Sequence, residues 1–360
     1  MTRDSADVLV VGGGPAGSAA AIRLAESGYD TLIVDDPDPA PLRVGETMAP
    51  SIRHGLERLG AWRDFEALGS APSFGNRILW GKGVAESSSF IFSPHGKGWH
   101  TDRAAFDRML LRRAESAGAR ILERGRVRRL GRDGSRYLAR LDGGGRSIAA
   151  RAVVDASGRS AAISRQVGAR RRPVDRLVAA AVRLRCTRSI GGHGLIEATE
   201  HGWWFSAPLP GAGAIVMFMT DADICRRMRL SNPARWDAWL AASQASAERV
   251  EGAERETGPR IFAAVSQRLD SSAAPGGCVA AGDAALAVDP LSGSGVERAL
   301  RTGEWAAFAV DRRLGGGRPV EADAAAALDG EFSAYLAERA AIYGAEARWP
   351  DSPFWSRRRQ

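Results

Sequence analysis

A glycine-rich turn joins an apolar run to a helical pattern near the N-terminus. The same strand-and-glycine character returns near residue 280, and four strand-like runs lie between. Together these predict an α/β protein: a discontinuous Rossmann-like domain, an inserted sheet-rich domain and a C-terminal helix. The first domain is read as residues 1–70, 100–168 and 262–318. The insert is read as 71–99 and 169–261, and the C-terminal helix and tail as 319–360.

The elements follow in order. Val8 to Val11 is apolar and ends in glycines, as a buried parallel strand does. Ala16 to Ser27 carries Ala20, Ala21, Leu24 and Ala25 at helical spacing, with Gly28 as its stop. Thr31 to Val34 is the next buried strand and completes a βαβ unit. Ser51 to Leu59 reads as a helix. Arg126 to Val154 holds Asp133-Gly134 and Asp142-Gly143-Gly144 between short strands, the signals of an antiparallel meander with arginines on its solvated face. Leu177–Cys186, Leu195–Thr199, Trp203–Ala207 and Ala214–Thr220 form a second sheet, and one helix follows over Ala234 to Val250. Cys278 to Gly282 is a buried strand. Gly295 to Leu314 is a helix with Val296, Leu300, Ala307, Val310 and Leu314 inward, ended by Gly315-Gly316-Gly317. A last helix carries Leu328, Phe332, Tyr335, Leu336 and Ile342.

Composition narrows the function classes. No apolar run is long enough to span a bilayer, and the polar start leads straight into a strand without a signal-peptide pattern, so a cytoplasmic protein is expected. The three cysteines are isolated and odd in number, which argues against a disulfide framework, a zinc site and a dithiol centre; no metal is expected, and each is read as a small buried hydrophobe. The formal charge is +8, yet only Lys82 and Lys97 of the fifty basic residues are lysine. The excess is not read as a nucleic-acid signal; attraction for an anionic cofactor or an acidic partner surface remains open.

Gly12-Gly13-Gly14-Pro15-Ala16-Gly17 fits G-x-G-x-x-G directly after a strand and at the opening of a helix. Gly12 permits the tight turn, Gly14 lets the backbone approach a pyrophosphate, and Gly17 lets helix and strand pack closely. Pro15 and Ala16 start the helix whose free N–H groups meet the phosphates. Asp35 ends the second strand, 18 residues after Gly17, where an acid binds ribose hydroxyls. This set points to a dinucleotide.

Distant segments resemble known flavoproteins. Residues 278–295, CVAAGDAALAVDPLSGSG, resemble the second FAD motif of the aromatic hydroxylase family. The resemblance implies that Asp283 accepts hydrogen bonds from the ribityl chain. It also implies that Pro290, Gly293, Ser294 and Gly295 bring a helix N-terminus to the isoalloxazine. Residues 153–160, VVDASGRS, resemble the same family's middle motif, with Asp155-Ala156-Ser157-Gly158 in place of Asp-Gly. Thr101-Asp102-Arg103, with Phe106 and Met109-Leu110, resembles the helix whose arginine reaches FAD, which is Arg103 here. Val127 is counted with the cofactor residues. No second G-x-G-x-x-G follows a strand, so the expected electron donor is a transient NAD(P)H or a flavin reductase.

Arg43-Val44-Gly45-Glu46-Thr47 resembles the flavin-adjacent strap of the tryptophan halogenases, which adds Arg43 and Gly45 to the cofactor set. Gly202-Trp203-Trp204-Phe205-Ser206-Ala207-Pro208 is loosely similar to their W-x-W-x-I-P motif. The halogenase lysine falls on Gly75, after Ser73-Phe74. Ser292-Gly293-Ser294 follows Pro290-Leu291 where a glutamate and Ser-Thr would stand. Lys82 comes seven residues late, between glycines, and reads as surface. Halogenation is therefore not expected.

GETMAPSIRHGLERLGAW, GKGWHTDRAAFDRML, HGWWFSAPLP, MTDAD, SQRLD and RWPDSPFWSRR look like the flavoproteins that accompany glycine and lysine oxidases carrying cysteine tryptophylquinone. That resemblance implies an FAD-dependent monooxygenase that uses O2, through a flavin C4a-hydroperoxide, to hydroxylate a tryptophan in a precursor protein of a tryptophylquinone oxidase. Glu46, His100 and His201 are candidate acid or base groups; a structural role is the alternative for each histidine. Trp203, Trp204 and Phe205 are read as the substrate wall, or else as a core stripe. A hydroxylase of a small aromatic molecule, a flavin-dependent prenyl reductase and a flavin-stabilised chaperone are the competing functions.

Overall fold

The computed structural model describes residues 2–36, 44–81, 85–90, 93–143, 145–270, 273–274, 277–317 and 321–359. Five strands of one large sheet run parallel, in the order Cys278–Ala280, Arg146–Asp155, Thr2–Val11, Thr31–Asp35, Arg120–Glu123. Val8, Leu9, Val10, Val153 and Val154 are fully buried in its middle, as strands covered on both faces require. The helices Pro15–Glu26, Arg103–Ser116 and Gly295–Leu314 pack together on one face.

The first strand starts at Thr2, earlier than its apolar residues suggest, because Arg146–Asp155 gives it a partner along its whole length. That partner strand serves two neighbours on its other edge. Arg136–Leu141 pairs antiparallel with its first half, and Cys278–Ala280 pairs parallel with its end. Val127–Asp133 completes the meander that the two Asp-Gly turns announce.

The second large sheet runs Glu254–Arg255, Leu177–Arg185, Gly213–Asp221, Gly202–Pro208, Gly194–Thr199, Gly75–Leu79, Ala85–Ser89. Its four central strands are the four read from the sequence. A small sheet of Thr47–Met48, Gly98–His100 and Ala71–Ser73 brings distant segments together. The single helix expected over 234–250 is two, Pro233–Ala241 and Ala245–Arg249. Glu197, from the sheet, accepts hydrogen bonds from the backbone N–H groups of Gln244, Ala245 and Ser246, so it caps a new helix start.

The C-terminal helix Glu321–Gly344 and the tail are built into the molecule. Phe354 and Trp355 are buried. Trp355 donates from Nε1 to the Thr199 carbonyl (2.9 Å), and both Arg357 and Arg358 bond the carboxylate of Asp221 (2.8 and 2.7 Å). Cys186, Cys225 and Cys278 are free and buried, and burial pushes each thiol up. Among the described residues no helix is long and apolar enough to cross a membrane, and no group of side chains could hold a metal ion.

Candidate active site

The glycine turn is tight where the motif demands. Gly12 has φ +107°, and a Cβ on Gly17 would lie 1.8 Å from the Gly12 carbonyl oxygen. A Cβ on Gly14 would meet nothing within 4 Å, so the backbone there faces open space at the first turn of the helix. Asp35 accepts from the Gly13 N–H through Oδ1 (2.8 Å), which fixes its side chain beside the turn. Gly303 also belongs to this corner: a Cβ there would meet the Ala16 carbonyl oxygen at 2.2 Å, so the helix Gly295–Leu314 can press against the motif.

The distant FAD-motif residues converge on the same corner. Asp283 pairs with Arg159 (3.2 Å), whose guanidinium also bonds the carbonyls of Val265 and Val288. Gly293 (φ +63°) and Gly295 leave open space at the start of their helix. Ser294 accepts from Arg298 one turn on (2.8 Å), and Asp289 caps the Pro290–Ser292 turn by accepting from the Leu291 N–H. Arg298 is buried, and its Nη1 has no partner among the described residues; neither has Nε of the half-buried Arg103. Open backbone at three glycines and two orphaned cationic donors fit an anionic, elongated cofactor such as FAD. Arg159 sat unassigned inside the VVDASGRS segment. Arg298 gave no sequence signal beyond lying four residues after Ser294.

The strap is held from below. Gly45 has φ +99°, and Arg103 donates to the carbonyls of Val44 (3.0 Å) and Gly45 (3.4 Å), with Asp107 as its ion-pair partner (3.1 Å). In this structure Arg103 thus shapes the strap. Arg43 lies outside the described residues, as does Lys82. Val127 is buried in the core beside Val34 and Leu130, which leaves only its backbone for a ligand.

Glu46 is buried, and burial pushes its carboxyl up to about 7 even though Arg103 is nearby; its Oε2 accepts from the Gly45 N–H (2.8 Å). His100 is buried too. Its Nδ1 lies 3.0 Å from the Thr47 hydroxyl and its Nε2 3.3 Å from the Gly192 carbonyl, and burial lowers it to about 4. His100 is therefore neutral near pH 7. Gly192 carries the line onward, because a Cβ there would meet the ring of Phe74 at 2.8 Å. Phe74 is 47% exposed and lies 5.9 Å from the His193 ring. Arg249 bonds the His193 carbonyl, and burial lowers its guanidinium to about 10. An unbroken chain of contacts thus runs from Glu46 and Thr47 through His100 to an exposed aromatic ring that the sequence did not single out.

Two expectations change. His201 sits in the turn after Gly194–Thr199, edge-on to Trp239. Gly192, which bonds His100, precedes that strand, and six residues of strand span about 20 Å. His201 therefore stands well away from the line that holds His100. Trp203 and Trp204 are each 1% exposed and belong to the core. Trp204 packs against Trp236 and Phe218, and Trp203 against Trp80 and Tyr343. Only Phe205 is half-buried, near Gly194.

A buried relay joins that core to the flavin-motif loop. Trp203 Nε1 donates to the Tyr343 oxygen (3.0 Å), and Tyr343 donates to Asp289 Oδ2 (2.6 Å). The Asp289 N–H donates to the Tyr335 oxygen (3.0 Å). Burial raises both the Asp289 carboxyl and the Tyr343 hydroxyl. Tyr343→Phe leaves a buried carboxylate short of a donor, so it should destabilise the protein by about 1.5–3 kcal/mol. Urea unfolding checks this, and an unchanged midpoint would remove the relay from the account.

Comparison with known proteins agrees with this geometry. The family described as FAD binding domain matches residues 5–303. LodB of Marinomonas mediterranea, named as an FAD-dependent oxidoreductase, is 30% identical over 362 residues, covering 99% of this chain and 97% of LodB. The myxobacterial chondrochloren halogenase CndH superposes with a TM-score of 0.85 at 26% identity, over 99% of this chain and 86% of CndH. The peptidyl tryptophan dihydroxylase QhpG, named as essential for tryptophylquinone cofactor biogenesis, shares the fold. Its TM-score is 0.73 at 24% identity, over 98% of this chain and 78% of QhpG.

Proposed function

This chain belongs to the FAD-binding-domain family of flavoprotein oxidoreductases that includes LodB, and from that premise we propose that it hydroxylates a tryptophan ring carried by a partner polypeptide. The observation that carries this reading is the line from Glu46 through Thr47 and His100 to Phe74, which ends in an aromatic ring at the surface rather than in a closed cavity. A ring embedded in a polypeptide needs such an open approach. The whole-length match to LodB supports an FAD-dependent oxidoreductase, and the fold shared with the peptidyl tryptophan dihydroxylase QhpG favours a polypeptide tryptophan as its substrate.

Bound and reduced, FAD with O2 supplies an oxygen electrophilic enough for an indole. The chain's own residues supply the rest. The Gly12–Gly17 turn, Asp35, Asp283, Pro290 and the 293–295 backbone hold the cofactor, and Arg298 Nη1 and Arg103 Nε offer it unmet hydrogen bonds. Glu46, near 7, exchanges a proton at Oε1 while the Gly45 N–H fixes Oε2. His100, held neutral, orients the Thr47 hydroxyl and acts as a positioning residue. Phe74 stacks the indole, worth about 0.5–1.5 kcal/mol beyond burial. NAD(P)H or a reductase provides the electrons.

The product carries oxygen and no halogen. A side chain at position 75, where the halogenase lysine would fall, has no room: Gly75 has φ +128°, and its Cβ would lie 1.9 Å from the Ser88 carbonyl oxygen. Added chloride or bromide should leave the product mass unchanged, and a halogenated tryptophan in the mass spectrum would overturn this part.

The test of the substrate is competition. Reduced, FAD-loaded protein is given O2 with a tryptophan-bearing oxidase precursor and with free tryptophan in excess. The polypeptide should gain oxygen while free tryptophan stays intact. Rapid turnover of free tryptophan with no gain on the polypeptide would assign a small-molecule hydroxylase instead.

A further inference from the structure

Away from the glycine turn, a cleft of about 830 Å³ opens between the segment 165–176 and the second sheet. Arg165, Arg170, Arg171 and Arg176 line it, and all four are exposed. Among the described residues none of these guanidinium groups pairs with a carboxylate; Arg171 reaches only the Arg159 carbonyl (3.3 Å). Several other surface arginines are matched, Arg120 with Asp30, Arg146 with Asp4 and Arg151 with Asp7. The one acidic residue lining the cleft, Asp175, is already satisfied. It pairs with Arg339 (3.2 Å) and accepts from the N–H groups of Leu177 and Ser266. Asp270 and Asp223 lie near Arg170 and Arg176, but they form their ion pairs with Arg172 and Arg357. The cleft therefore keeps an excess of positive charge, and its low-dielectric walls concentrate that field.

The cleft shares a wall with the flavin corner. The Arg159 carbonyl accepts from Arg171 and from Gln267 Nε2 (2.6 Å), both in the lining, while Nε of the same Arg159 pairs with Asp283. No aromatic ring lines the cleft among the described residues, so a nucleotide base or a nicotinamide would find no stacking surface. Four arginines spread over a broad opening suit carboxylates that are themselves spread along a chain.

We propose that this cleft docks an acidic peptide segment of the partner polypeptide. The inference rests on the partner reading above and adds where the partner is gripped. The probe is a fluorescein-labelled glutamate-rich peptide, titrated by anisotropy into the FAD-loaded full chain at low and high salt. One variant combines Arg165→Glu, Arg170→Glu and Arg176→Glu. The control combines Arg129→Glu, Arg136→Glu and Arg140→Glu on the meander, with the same change in charge. The cleft variant should bind the peptide about tenfold more weakly or worse, the control within about twofold of wild type, and salt should weaken the wild-type complex. FAD content and melting temperature should match wild type; if the cleft variant loses either, glutamine replaces glutamate at the same positions and the same contrast is required. Equal weakening in cleft and control variants would overturn the proposal. So would NADPH binding that depends on the cleft arginines while the peptide fails to bind. Because the readout is binding, peptide capture at the cleft stands even if the competition with free tryptophan overturns the hydroxylase reading, so the two failures are distinguishable.

Discussion

Replacing Gly17 with alanine should yield a protein that no longer purifies with FAD. The added Cβ would lie 1.8 Å from the Gly12 carbonyl oxygen, a backbone atom that cannot move aside as a side chain could. The helix Pro15–Glu26 must lift off the strand Thr2–Val11, and the turn opens. Overpacking of this kind costs on the order of 3 kcal/mol. Gly14→Ala is the informative comparison. Its Cβ meets nothing in the protein, so the fold should survive and FAD affinity alone should fall, because the new methyl stands where the pyrophosphate must pass. Flavin absorbance per protein and the apoprotein melting temperature separate the two outcomes. A yellow, stable Gly17→Ala protein would mean that the turn is not a cofactor cradle.

The second large effect belongs to Glu46. Burial raises its carboxyl from an ordinary 4.5 to about 7. Between those values the folded protein holds a proton that the unfolded chain releases. The neutral carboxyl thus stabilises the fold fully below about 4.5, and that contribution is lost as pH rises through about 7. Going from about pH 8 to about pH 5, the wild type should gain on the order of 2–3 kcal/mol relative to Glu46→Gln, which has no proton to exchange. Urea unfolding of both proteins across that range provides the check, and parallel pH profiles would show that Glu46 does not titrate there. Turnover should follow the same group: a step that draws a proton from Glu46 slows above about pH 7, and Glu46→Gln should flatten that limb.

The glycine turn was legible because its chemistry is local. Three glycines and an acid at fixed spacing each answer a backbone requirement that the sequence itself states. The meander was legible for the same reason, through its two Asp-Gly turns. Tertiary partners were not. Glu197 splits the helix expected over 234–250 from 47 residues away, and Thr47 meets His100 across 53 residues of chain. Strand periodicity puts Trp203 and Phe205 on one face and Trp204 on the other. Nothing in that alternation says that the C-terminal helix, through Tyr343, and the helix Pro233–Ala241, through Trp236, close over both tryptophans. Phe74 was passed over because only a folded surface reveals that it is exposed. Asp289 sat inside a quoted motif, but its importance comes from Tyr343 on another helix.

The central claim is oxygen transfer from O2 to a tryptophan in a polypeptide. The most direct test gives FAD-loaded protein, an electron donor and the precursor polypeptide isotopically heavy dioxygen, then locates the label by tandem mass spectrometry. The account predicts heavy oxygen on one tryptophan ring of the precursor, with the label lost in Gly14→Ala and reduced in Phe74→Ala. Label appearing only in water or hydrogen peroxide, with every precursor tryptophan unchanged, would contradict it.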